Sequence, residues 1–191
     1  MGRTENDIVV VDGKGRNFLT EAEIAQMLKA ARGGRHGKRD HLLVLLAYRH
    51  GYRVSELIDI RMHEVDLDAG RIFVRRRKGS LSTSQPLEGD QTRAIRAWLR
   101  ARGETKSPYL FLGERGPLTR QAVNYLFKTI GERAGLAIEV NPHMLRHSTG
   151  FYLANKGYDA RLIQDYLGHK DIRHTEIYTR TAAARFEGLW R

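Results

Sequence analysis

Asn141–Thr179 reads NPHMLRHSTGFYLANKGYDARLIQDYLGHKDIRHTEIYT, and into this one run the chain packs His143, Arg146, His169 and Tyr178. Pro142 favours the first turn of a helix, because its fixed φ suits that position and its missing N–H is not needed there. His143 and Arg146 are three apart and share one face of that helix. A phosphate at this turn would meet an imidazole, a guanidinium and the positive end of a helix dipole together. Such groups can break and rejoin a phosphodiester without a metal. Farther on, Gly168 allows the backbone to turn and present His169, and Asp171 is placed to cap a last helix carrying Ile172, Ile177 and Tyr178. From His169 to Tyr178 the chain spans about 13 Å as a helix and about 30 Å extended, so both can face one phosphate only if it folds back.

Taken singly, each of these residues has a plainer reading. A histidine or arginine on a helix is most often a solvated surface group, and a tyrosine most often a half-buried anchor. His143 and His147 have the spacing of a helical zinc site, but Met144 stands where the water-activating glutamate would be, which argues against that metal. Order and company favour the chemical reading.

The 191 residues suffice for one good core with a short arm. Lys and Arg number 33 against 22 Asp and Glu, a formal charge of +11 that suggests a polyanionic partner, nucleic acid above all. Cysteine is absent, which excludes disulfides, thiolate metal sites and cysteine nucleophiles. No apolar run approaches the ~20 residues of a membrane span and no signal-peptide core begins the chain, so a cytoplasmic, nucleoid-associated protein is expected.

The order His-x-x-Arg, then Leu167-Gly168-His169, then Tyr178 resembles the tyrosine recombinase or phage integrase family. Upstream, Gly51-Tyr52-Arg53-Val54-Ser55-Glu56-Leu57 is similar to that family's first-arginine motif, and Lys78 before Gly79 stands where its hairpin lysine does. The match runs from about Leu19 to the C-terminus. It is most similar to the short recombinases that invert the promoter switch of fimbrial operons. The resemblance implies a mainly helical α+β catalytic domain and a covalent 3′-phosphotyrosine on Tyr178. Arg53 and Arg146 would clamp the phosphate oxygens, His169 would donate a hydrogen bond, His143 would exchange a proton with the tyrosine, and Lys78 would protonate the leaving 5′ oxygen. It implies no cofactor, a double-stranded DNA partner with inverted-repeat sites, and a homotetramer formed through the C-terminal tail. Because the family's separate N-terminal DNA-binding domain has no counterpart before Leu19, either DNA is incompletely encircled or accessory DNA-bending proteins or tetramer contacts compensate. A catalytically silent DNA-binding regulator and a type IB topoisomerase remain rivals.

In chain order, residues 1–18 read as an arm, with an edge strand as the alternative, and 19–191 as the catalytic domain with a tail at about 181–191. Thr20 and Glu23 form a capping box for a helix to about Ala31. Arg35, Lys38 and Arg39 are read as phosphate contacts. A helix from about Lys38 to His50, apolar almost all round, belongs at the domain's centre. Gly51 caps it, Arg53 follows, and Glu56 is placed to hold Arg53. From Val65 to Leu87 the pattern predicts a three-stranded antiparallel sheet with Arg75, Arg76, Arg77 and Lys78 at one hairpin tip, four cations that repel unless an anion meets them. Helices follow at Gly89–Arg102 and from Arg120 to about Ala134, with Pro108–Leu112 extended between them. By resemblance, Arg120 and Gln121 enter the major groove, where both side chains suit base edges. Leu162, Ile163 and Leu167 are expected to pack under Leu145 and Leu153.

Overall fold

The computed structural model describes residues 16–77, 79–114 and 116–180. Helix α1, Glu21–Ala31, starts from the predicted capping box: Thr20 Oγ1 accepts from Glu23 N, and Glu23 Oε2 accepts from Thr20 N at 2.8 Å. The expected arm boundary at residue 18 differs from what is seen. Arg16 pairs with Glu23, Phe18 stacks on Phe151 at 4.1 Å between centroids, and Leu19 N donates to Ser148 Oγ, so these residues belong to the packed body. Residues 1–15 and 181–191, which carry the rest of the arm and the tail, lie outside the described residues.

Helix α2, Gly37–His50, is the axis of the fold. Leu42 to Ala47 are all buried on it, and α1, α4 (Gly89–Arg102) and α6 (Pro142–Asn155) pack around it. Each fully buried aliphatic side chain contributes about 1.5–3 kcal/mol, which makes this helix the main source of cohesion. It spans nearly the expected range, but Arg39 is not the surface cation that its sequence context suggests. Its guanidinium is buried, bonded to Asp40 Oδ1 at 2.8 Å and to the Leu112 carbonyl at 3.3 Å, because residue 39 falls on the face turned toward the 108–112 segment.

After α3, Val54–Leu57, strands β1 (Val65–Asp66), β2 (Arg71–Val74) and β3 (Thr83–Pro86) form the antiparallel sheet in the order β1-β2-β3. Ile72 pairs with Gln85 and Val74 with Thr83, and Ile72 and Val74 point into the core. Trp98 of α4 donates Nε1–H to the Leu110 carbonyl at 2.9 Å, fixing the extended 108–111 segment. A second hairpin, β4 (Leu112–Gly113) with β5 (Gly116–Pro117), follows and was not expected from the sequence. Helix α5, Arg120–Arg133, is capped by Thr119 and buries Val123, Phe127 and Ile130.

Asn141 caps α6 by accepting from His143 N and Met144 N. Helices α7 (Ala160–Leu167) and α8 (Arg173–Arg180) close the fold against it. Their packing meets expectation in part. Ile163 and Leu167 pack with Leu153 as expected, in a separate small core with Phe151, Ala154 and Tyr178, while Leu145 belongs to the main core and Leu162 is exposed. The short α7 presents one narrow apolar face, and that face meets α6 and α8.

Candidate active site

Two helix C-termini meet at the centre of the site. Gly51 ends α2 at φ 57° and Gly168 ends α7 at φ 66°, both in the left-handed region that glycine enters without strain. A Cβ on Gly51 would come within 2.3 Å of Leu167 Cδ2, so side chains are excluded from the approach as well. Helix C-termini leave carbonyls unpaired and partly negative, and here arginines take them. Arg146 of α6 donates Nη1 to the Gly51 carbonyl and Nη2 to the Leu167 carbonyl at 2.7 Å. Arg76 donates Nη2 to the His50 and Tyr166 carbonyls at 2.7 and 2.9 Å, and Nη1 to the Gly51 carbonyl at 3.2 Å.

Arg53 stands just beyond Gly51, at the start of α3. Its Nη1 donates to Glu56 Oε1 at 2.8 Å, as the sequence suggests, and Glu56 Oε2 accepts from Arg76 Nη1 at 3.0 Å. Burial works against the charge of Glu56, but Arg76 and Arg53 outweigh it and hold the carboxyl below its usual range. Arg146 is pushed down to about 9 by burial, then by repulsion from Arg76 and Arg53, which Glu56 only partly offsets. Three guanidinia therefore gather near one carboxylate, to which only Arg53 and Arg76 are bonded, and the cluster carries excess positive charge.

His169 sits beside them, half-buried, with Nδ1 2.8 Å from Thr175 Oγ1. When the Thr175 hydroxyl donates to Nδ1, the ring proton lies on Nε2, where it can be given to an anion. Burial, then Arg146 and Arg53, pushes His169 down to about 3. His143 opens to solvent at the first turn of α6; the protein packed around it, then Arg146 and Arg53, lowers its pKa.

Tyr178 is 1 % exposed. Its ring lies against Gly150 and edge-on to Phe151 at 5.1 Å, and it is 6.1 Å from the His169 ring, so the chain does fold back between those two residues. Its hydroxyl is 2.9 Å from Nδ1 of His147, whereas the sequence reading gave the tyrosine's proton partner as His143. Helical geometry explains the difference: His147 lies one turn deeper along α6, level with the buried ring. Burial raises Tyr178 to about 12 despite Arg146, and lowers His147 to about 4.

Among the remaining candidates, Lys78 lies outside the described residues. The anion that its neighbours require is internal: Arg75 pairs with Glu64 and Asp59, Arg77 with Asp59, and Arg76 with Glu56. Arg75 and Arg77 nevertheless remain exposed, as do Lys38, Arg120 and Gln121, while exposed Arg35 pairs with Glu114. Among the described residues no group of three or more His, Cys, Asp or Glu is arranged to hold a metal ion, and no helix is long and apolar enough to cross a membrane.

Sequence reading missed Arg76, His147, Gly150 and Thr175. For Arg76 a signal existed: the alternation that buries Ile72 and Val74 continues past the end of β2 and places residue 76 inward. Nothing in the spacing singles out Gly150 or Thr175.

Residues 17–185 match the model of the phage integrase family. The chain is 48% identical over 183 residues to the type 1 fimbriae regulatory protein FimB of Escherichia coli K12, covering 94% of this chain and 92% of that protein. It is 46% identical over 180 residues to FimE of the same strain, covering 92% and 91%. Tyrosine recombinase XerA of Thermococcus kodakarensis is 41% identical over 166 residues, and there the match spans 57% of the relative's length. Among solved structures, a crystal structure of XerA recombinase superposes with a TM-score of 0.76 at 30% identity, over 85% of this chain and 58% of that one. XerH site-specific recombinase, bound to palindromic difH substrate after cleavage, does so with a TM-score of 0.76 at 25% identity, over 89% and 51%.

Proposed function

We propose, from the premise that the chain belongs to the phage integrase family, that it is a site-specific DNA recombinase acting through Tyr178 and the arginine cage around Gly51. The observation that carries this reading is the cage's charge. Arg53, Arg76 and Arg146 meet around Glu56 and the Gly51 carbonyl, and a phosphodiester would supply the missing anion. Arg146 is preorganised by two main-chain acceptors, so little reorganisation remains when negative charge builds on a phosphate.

The phenol oxygen of Tyr178 attacks phosphorus, forming a tyrosyl–phosphate ester at a 3′ end as the bond to the 5′ oxygen breaks. Arg53 and Arg146 bind the nonbridging oxygens in the place that metal ions take in many phosphoryl transfers, and His169 donates its Nε2 proton as a hydrogen bond. The leaving 5′ oxygen takes a proton from Lys78. The phenol's own proton passes to His143, which the protein packed around it, then Arg146 and Arg53, keep neutral and able to accept it. Because a phenol 1 % exposed cannot meet a DNA phosphorus, α8 must shift and release the hydroxyl from His147 before attack. The free 5′ hydroxyl of another duplex later attacks the phosphotyrosine, and no nucleotide cofactor is consumed.

The partner is double-stranded DNA with inverted-repeat sites, and likeness to two fimbriae regulatory proteins favours inversion over integration or excision as the outcome. Arg35, Lys38, Arg75, Arg77, Arg120 and Gln121 supply contacts from the exposed surface, and the tail at 181–191 links a homotetramer, with accessory DNA-bending proteins assisting. A nicked suicide substrate carrying the site tests the reading. A covalent adduct should form in EDTA with the native chain and not with Tyr178→Phe, while both bind DNA; an adduct in the Phe variant removes Tyr178 from the role.

A further inference from the structure

Arg76 has a side chain with no solvent exposure and four carbonyl or carboxylate acceptors drawn from three separate parts of the fold. Burying a guanidinium costs several kcal/mol, and a buried ion pair is often replaced by apolar side chains with no loss of stability. Its Nε is left with no partner, which adds to that cost. Cohesion alone does not account for an arginine here.

Its place in the network does. Glu56 has two oxygens: Oε1 takes Arg53 Nη1 together with the Arg77 backbone N–H at 3.2 Å, and Oε2 takes Arg76 Nη1 together with the Arg53 backbone N–H at 3.0 Å. We propose that Arg76 is a positioning residue for phosphoryl transfer, acting on Arg53 through Glu56. By occupying one side of the carboxylate, Arg76 divides its charge and leaves the half-exposed Arg53 guanidinium only one side-chain anchor. Without Arg76, Arg53 would be the one guanidinium bonded to Glu56, and the carboxylate would draw it inward and away from a docked phosphate. This inference rests on the functional reading above, and it concerns a residue that touches neither DNA nor the reacting atoms.

The test is a double-mutant cycle on suicide-substrate cleavage. Arg76→Met should slow adduct formation by about 100-fold, the cost of a slightly misplaced clamp, while the Kd for site DNA changes by less than about threefold. In an Arg53→Ala background the same substitution should cost no more than about twofold, because its route of action is gone. The full 100-fold loss in that background, or an equal loss of DNA affinity, overturns the proposal. If Arg76→Met does not fold, Arg76→Lys carries the same cycle, and failure of both to fold makes Arg76 a structural staple and ends the idea. Orthovanadate binding to the protein alone, followed by vanadium NMR, separates this inference from the functional reading. Binding should weaken about tenfold in the Arg76 variant whether or not the native chain forms an adduct, and unchanged binding counts against Arg76.

Discussion

Tyr178 lies so close to Gly150 that a Cβ on residue 150 would stand 2.5 Å from the ring carbon Cε2. The absence of a side chain at position 150 is what gives the phenol its berth on α6. Gly150→Ala would gain up to about 1 kcal/mol of helix propensity but would overpack a fully buried ring at about 1–3 kcal/mol. The clash is therefore expected to win, lowering the urea midpoint and loosening α8, with faster proteolysis near Thr179 as the second readout. An unchanged midpoint would mean the ring slides aside without cost.

Arg146→Lys keeps the charge and loses the fork that spans the Gly51 and Leu167 carbonyls. Loss of a preorganised donor of this kind costs about 10²–10³ in rate, or about 3–4 kcal/mol. Single-turnover cleavage should fall by that factor while site binding weakens much less. A lysine variant near the native rate would show that charge alone suffices.

Acid should destabilise the fold over a definite window. Burial lowers His50 and His147 from the ordinary 6.5 to about 4, and His169 to about 3. The unfolded chain takes up these protons first as pH falls below about 6.5, so the stability they lend is complete above that pH and declines as pH drops toward 4 and below. The slope is at most about 1.4 kcal/mol per pH unit for each histidine. Urea titrations at intervals from pH 7.5 to 4 measure it, and His50→Gln should flatten the curve. A midpoint independent of pH would contradict the burial of these rings.

Docking of a phosphodiester should draw a proton onto His169. Beyond burial, its low pKa comes from Arg146 and Arg53, and an anion between them cancels that repulsion. Calorimetric titration of Tyr178→Phe with site DNA at pH 5.5, in buffers of different ionisation enthalpy, should show net proton uptake that His169→Asn diminishes. Equal uptake in that variant would place His169 away from the phosphate.

Most of the scaffold was legible because local rules and burial agree in it. The Thr20–Glu23 capping box, the all-round apolar 42–47 stretch and the limits of α4 each follow from side chains acting on their own segment. Tertiary contacts decided the rest. Arg39 looks like a surface cation because its context does not show that it is buried together with Asp40, and the alternation that turns Arg76 inward does not reveal the four acceptors around it. His147, not His143, holds the buried hydroxyl because α8 folds back at that depth on α6. Order and spacing named Arg53, Arg146, His169 and Tyr178, which the fold brings near one another, yet they could not say that the tyrosine would be found out of solvent.

The meeting of α2 and α7 at Gly51 and Gly168 has a consequence for how such a chain can change. Arg146 and most of the donors of Arg76 grip peptide oxygens, which every amino acid carries, so substitutions along the outer faces of those helices leave the grip intact. The first turn of α5, exposed at Arg120 and Gln121, lies apart from that grip, and under the proposed reading it can drift toward a new target sequence while the breaking and sealing of strands is inherited unaltered.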